Sequence, residues 1–215
     1  GKCSCEMERV KVSFASEELI SRIGSTLEDW VTSDNKQPQA LSPFHCIQTP
    51  PESIKDYLER IHCDFNCSDE CYIIALIIID RVGKIEPALR LCKHNVHLLL
   101  VSAVMLAAKF HDDLYYSNAY YAEFGGLPLT DLNQLEAILL KSIDWKVNVT
   151  SGEYQEYLRI VRKSTGPRSI ARSCSLMKKR GDDKGCATVS YTWHYHSSLT
   201  IAMKLSELFL SMISP

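Results

Sequence analysis

Residues 68–83 read SDECYIIALIIIDRVG, and the reading of this stretch decides the fold. The nine residues from Cys71 to Ile79 are all apolar and rich in isoleucine, so by propensity alone they suit a buried strand. Three features favour a helix. Ser68 is placed as an N-cap, with Asp69 and Glu70 in the first turn, where carboxylates oppose the helix dipole. Gly83 supplies a stop signal at the far end. The segments on either side are themselves helical in pattern, which leaves no partner strand. A helix apolar on every face is one surrounded by others, so 68–82 is expected to be the hub of a bundle.

Working outward, Pro51 is followed by Ile54, Tyr57, Leu58 and Ile61 at i, i+3, i+4, i+7 spacing. After Asn95, Val96, Leu99, Leu100, Ala103, Val104, Ala107 and Ala108 form a second stripe. Leu132, Leu135, Leu139 and Ile143 form a third, with Thr130 or Asp131 as its expected cap and Gly125-Gly126 as the turn before it. A further helix is expected from Ser151 through Tyr154, Tyr157, Leu158 and Val161, ending before Gly166-Pro167. Leu19, Ile20, Ile23, Leu27 and Trp30 predict an N-terminal helix, and Leu199 to Met212 is weakly amphipathic.

The chain is 46% apolar and 23% charged over 215 residues, which excludes a disordered or collagen-like chain. Its longest apolar run, nine residues, is half of the roughly 18 that a membrane span needs. Charge is unevenly placed. Of 24 Lys+Arg and 26 Asp+Glu, residues 164–184 hold six basic and two acidic, and 185–215 hold one of each. Residues 1–163 therefore carry 17 basic against 23 acidic groups, a net −6, the wrong sign for a nucleic-acid binder. The segment 164–190 reads as a flexible basic linker, too poor in large apolar side chains to offset the entropy of ordering.

Nine cysteines include a C-x3-C-x3-C run at Cys63, Cys67 and Cys71, with Cys3, Cys5, Cys46, Cys92, Cys174 and Cys186 scattered. The odd count and the lack of an apolar leader in GKCSCEMERV predict reduced thiols, and hence the cytoplasm or nucleus. Cys5 stands where a myristoylation signal wants Ser or Thr, so no membrane anchor is expected. No second C-x-x-C or His pair matches the cysteine run, which favours structural thiols over a metal site. His94 and His97 lack a third ligand and read as a polar rim at a helix start. No phosphate-binding glycine loop or nucleophile elbow is present, so no enzyme, cofactor or small-molecule substrate is expected. What remains is a set of charged residues at the ends of apolar stripes: Asp80-Arg81, Lys109-Phe110, Asp112-Asp113 and Glu136. By itself a Lys109–Glu136 pair would be an ordinary surface pair that contributes little.

Residues 44–158 closely resemble the cyclin box in its P/U-type, phosphate-pathway-like form. The matching stretches are Ser42-Pro-Phe-His45, Ser53-Ile-Lys-Asp-Tyr-Leu-Glu-Arg-Ile61, Cys67-Ser68 with Cys71, and Ile79-Asp-Arg81. They continue through Asn95-Val-His97, Met105-Leu-Ala-Ala-Lys-Phe110, Asp112-Asp113, Asn118-Ala-Tyr-Tyr-Ala122, Gly125-Gly126 and Leu132-Asn-Gln-Leu-Glu136. The resemblance implies an all-α fold with a single five-helix cyclin box at 44–163; the patterning of the sequence itself adds an N-terminal extension at 1–43 with one helix, the linker at 164–190 and a variable C-terminal segment at 191–215. It implies a non-catalytic regulatory subunit that binds and activates a cyclin-dependent Ser/Thr kinase as a heterodimer. Lys109 and Glu136, with Phe110 beside them, match cyclin positions that dock kinase main chain near its mobile C helix. Asp113 or Asp112 matches an acidic position that pairs with a kinase arginine. Asp80, next to Arg81, matches a position that holds the N-terminal helix against the box. The alternative is a cyclin-box-like helical scaffold or a transcription-associated adaptor without kinase activation. Two residues depart from the P/U pattern: Leu98 stands where Arg is usual, and Glu52 where a small or apolar residue is. The apolar docking motif of cell-cycle cyclins is absent, and a second box does not fit in the tail.

Overall fold

In the computed structural model, which describes residues 5–33 and 42–164, the decisive stretch is a helix at the centre of a bundle. Seven α-helices occur among these residues: α1 (Cys5–Ser33), α2 (Ile54–Phe65), α3 (Asp69–Ile85), α4 (Val96–His111), α5 (Asn118–Gly125), α6 (Leu129–Ser142) and α7 (Ser151–Lys163), with a 3-10 turn at Pro87–Leu89. The expected basic linker beyond Ser164, the C-terminal segment 191–215, and Cys3, Cys174 and Cys186 lie outside the described residues.

The hub forms as the pattern demands. Every residue from Cys71 to Ile79 is buried, and α3 packs along α4, itself buried from Val96 to Ala108. Each large aliphatic side chain withdrawn from water there contributes about 1.5–3 kcal/mol before chain entropy is set against it. α2, α5 and α6 lie around this pair, while α1 and α7 pack on α3 and on each other. Among the described residues no helix is long and apolar enough to cross a membrane.

Helix ends follow local chemistry, with three departures from expectation. Ser53 caps α2 by accepting from Asp56 N, and Asn66 ends it in the left-handed region at φ 47°. Thr150 and Glu153 form a reciprocal capping box at α7. The first departure is that α6 begins at Leu129 with Pro128 as N-cap, so Thr130 and Asp131 sit inside its first turn. The second is Gly83, which does not stop α3: the helix continues two residues further, to Ile85. The third is α5, whose eight residues give too few turns for a visible stripe. It is closed by Gly126 at φ 79°, a conformation in which glycine carries no side-chain penalty.

Both departures from the P/U pattern find a place. Leu98 is buried and fills the core. Glu52 takes a two-pronged ion pair with Arg60, at 3.1 and 3.0 Å, while that guanidinium lies 4.8 Å from the Tyr57 ring centroid. His97 is not a surface rim. It is buried, with Nε2 bonded to the Glu52 carbonyl oxygen at 3.0 Å and its ring edge-on to Tyr57.

Candidate functional site

The apolar stripe of α4 stops at Ala108, and the next residue, Lys109, is the first of the helix to reach solvent. Helix α6 buries Leu132, Leu135 and Leu139, which sets Glu136 on its flank toward the end of α4. Ser117 caps α5 and so fixes Asn118 at that helix's first position. These three unrelated starting points converge. Lys109 Nζ donates to Glu136 Oε1 at 2.5 Å and to Asn118 Oδ1 at 2.9 Å, and Asn118 Nδ2 donates to Glu136 Oε2 at 2.7 Å and Asn133 Oδ1 at 2.8 Å. The lysine and glutamate side chains remain 28% and 15% exposed, so the cluster is anchored yet reachable. Lys109 has three donors and spends two of them here, leaving one for a further acceptor.

Exposed apolar side chains follow Lys109 along the chain. Phe110 is 55% exposed, Leu114 87%, and Tyr115 56%. Across from Phe110 stands Trp145, 66% exposed, on a left-handed backbone at φ 58° that follows Asp144 at φ 53°. An L-residue holds such a conformation at a cost, and a bulky side chain more so. Phe110 and Trp145 share an open hollow of about 580 Å³ with Arg81, Lys146, Asn148 and Glu153. Arg81 braces its floor, donating to the Lys146 and Asn148 carbonyls and pairing with Glu153 at 3.1 Å.

The two neighbouring aspartates have different surroundings. Asp112 turns inward: its Oδ1 accepts from Ser68 Oγ at 2.6 Å and its Oδ2 from Ser68 N at 2.9 Å. It thus fixes Ser68, the residue that opens α3 and whose own side chain makes no capping bond to the helix. Asp113 is exposed. Asp80 accepts from the Tyr157 hydroxyl and pairs with Lys84 at 2.6 Å, so it ties α3 to α7 rather than directly to the N-terminal helix. α1 is reached one step later, where Trp30 packs edge-on against Tyr157 at 6.4 Å. Burial, then the bond to Asp80, pushes the Tyr157 hydroxyl well above its ordinary pKa.

One grouping was hidden in the sequence. Cys67 Sγ, Cys71 Sγ and an Asp112 carboxylate oxygen lie within 4.8 Å of one another, although the aspartate follows the cysteines by more than forty positions. Hydrogen bonding from Cys71 holds the Cys67 thiol below its usual range, while the Cys71 thiol is pushed up by the same bond and by burial.

Comparison with known proteins follows the same residues. A family model described as Cyclin matches residues 9–147, so most of α1 lies within the match. Cyclin-U4-1 of Arabidopsis thaliana is 39% identical over 152 residues, spanning 68% of this chain and 75% of that protein. Cyclin-U4-3 of the same plant is 43% identical over 147 residues, covering 68% of this chain and 64% of its own length. Cyclin-P4-1 of Oryza sativa subsp. japonica is 40% identical over 127 residues, 59% of this chain and 60% of that protein.

Proposed function

The chain belongs to the cyclin family, and from that premise we propose that it binds a cyclin-dependent Ser/Thr kinase and switches it on without catalysing anything itself. The observation that carries this reading is the closed Lys109–Asn118–Glu136 network with a lysine donor to spare, with exposed Phe110, Leu114 and Tyr115 following Lys109 in the chain and Trp145 sharing a hollow with Phe110. Polar groups that are already oriented can satisfy the exposed backbone of a partner, and the apolar side chains around them supply the area to exclude water. Such a face suits the kinase's mobile C helix. Holding that helix inward completes the Lys–Glu pair that positions ATP, and the cyclin activates because it binds the active conformer better than the inactive one. ATP and magnesium belong to the kinase.

Of the two aspartates, Asp113 takes the role of pairing with a kinase arginine, since it is exposed while Asp112 is turned inward onto Ser68. That pairing supplies charge of the kind a phosphorylated activation loop provides. Asp80 and Arg81 act as supports from below, through Tyr157 and Glu153. The complex works in the cytoplasm or nucleus.

Affinity-tagged protein expressed with cellular kinases should co-purify a Ser/Thr kinase that phosphorylates peptide substrates. Lys109→Glu and Glu136→Lys should each lose that kinase while keeping the helical circular-dichroism signal. Normal kinase recovery with both variants would show that the docking face lies elsewhere.

A further inference from the structure

We propose that Cys67, Cys71 and Asp112 form a binding site for a zinc-type divalent metal ion. Three elements meet here: the α2–α3 loop brings Cys67, the first turn of α3 brings Cys71, and the C-cap of α4 brings Asp112. Their ligand atoms all lie within 4.8 Å of one another. Zinc takes sulfur at about 2.3 Å and carboxylate oxygen at about 2.0–2.2 Å, so tetrahedral ligands stand a little under 4 Å apart. Side-chain rotation of an ångström or so closes the set without moving a helix.

Ser68 is what makes this more than a chance meeting. Its backbone N and its hydroxyl hold the two oxygens of Asp112, and the same hydroxyl lies 3.3 Å from Cys71 Sγ. Each carboxylate oxygen keeps a second lone pair for a metal. One residue outside the ligand set thus orients two of its three members, which is how ligands in metal sites are usually steadied. Cys71 is buried, while Cys67 and Asp112 are half-buried and leave an approach from solvent. Two thiolates with one carboxylate suit zinc, whereas magnesium and calcium take oxygen ligands. Water fills the fourth position. Binding replaces two S–H bonds by two metal–sulfur bonds and releases two protons.

The site is independent of the kinase-docking reading, and its test does not involve a kinase. Full-length protein, stripped with a chelator and kept reduced, is titrated with cobalt(II) and then with zinc. The expected result is one equivalent of cobalt with thiolate charge-transfer and intense visible bands, two protons released, and displacement by zinc. Zinc should also raise the melting temperature. Cys67→Ser should abolish the thiolate bands, and Asp112→Asn should weaken binding at least about tenfold. Cys63→Ser, an exposed cysteine outside the cluster, should bind as the parent does. No thiolate band in the parent protein would overturn the proposal, as would an undiminished band in Cys67→Ser. Should Cys67→Ser fail to fold, X-ray absorption of the parent's zinc decides. Two sulfurs with two light atoms supports the site; four sulfurs, or none, overturns it.

Discussion

Lys109 Nζ lies 2.5 Å from Glu136 Oε1 although 27 positions of sequence separate the two residues. The pair is not a loose surface contact, since Asn118 bonds to both partners and completes a triangle. Long polar side chains usually lose rotamer freedom when they bind something, and here the ordering is complete before any partner arrives. The cluster should therefore show coupling in the free protein. In a double-mutant cycle on Lys109→Met and Glu136→Gln, urea unfolding should give an interaction energy of about 1 kcal/mol, smaller at high salt. A coupling indistinguishable from zero would mean that the triangle does not persist in solution.

Two glycines should respond in opposite directions to alanine. At Gly83, inside α3, an added Cβ meets nothing nearer than Arg90 Cα at 3.5 Å, an ordinary contact. Gly83→Ala should stabilise by about 0.5–1 kcal/mol, the usual gain from removing a helix-interior glycine. At Gly125 the same atom would come within 2.7 Å of Val101 Cγ2 and 2.8 Å of Leu127 Cδ2. Gly125→Ala should cost about 1–3 kcal/mol through overpacking. Thermal denaturation of the two variants side by side checks both signs.

That contrast also shows what the sequence could and could not reveal. The α3 hub was legible because nine successive buried positions leave a continuous apolar run, and the α4 and α6 stripes were legible by period. Gly83 looks like a stop because a glycine that closes a helix and one inside it are alike without the backbone. Asp112 and Asp113 are adjacent and chemically identical, and only the approach of Ser68 from another helix sets them apart. Asn118, although it lies in a stretch that matches the cyclin box, and Trp145 carry no site signal of their own for related reasons. The asparagine matters through two contacts remote in sequence, and the tryptophan is exposed by a left-handed backbone at a residue type that seldom adopts one. The resemblance to cyclins marks Lys109 and Glu136 as a docking pair, where their chemistry alone reads as an ordinary surface pair.

Burial holds His97 below its ordinary pKa, so acid should weaken the fold through this residue. In the unfolded chain the imidazole takes up a proton near pH 6.5, whereas the folded protein resists until a lower pH. The unfolded state thus binds more protons in that interval, and stability falls as pH drops through about 6.5 toward the folded value, then levels off. Above about pH 7.5 the two states bind the same number and the effect is absent. Urea midpoints measured from pH 8 to 5 should show this decline, and His97→Gln should flatten it. An unchanged slope in that variant would assign the acid sensitivity to other groups.

Asp112 and Asp113 should separate stability from partner binding. Asp112 accepts two hydrogen bonds from Ser68, which opens α3, so Asp112→Asn replaces a charged acceptor with a neutral one and should cost about 1–2 kcal/mol. Asp113 is exposed, and Asp113→Asn should leave the melting temperature nearly unchanged, within about 0.5 kcal/mol of the parent. In the kinase assay the order should reverse. Asp113→Asn should lower phosphorylation by the co-purified kinase at temperatures where both variants remain folded, while Asp112→Asn keeps its activity there. Equal activity for the Asp113 variant and the parent would remove Asp113 from the interface and leave the Lys109 cluster and its apolar flank to carry docking by themselves.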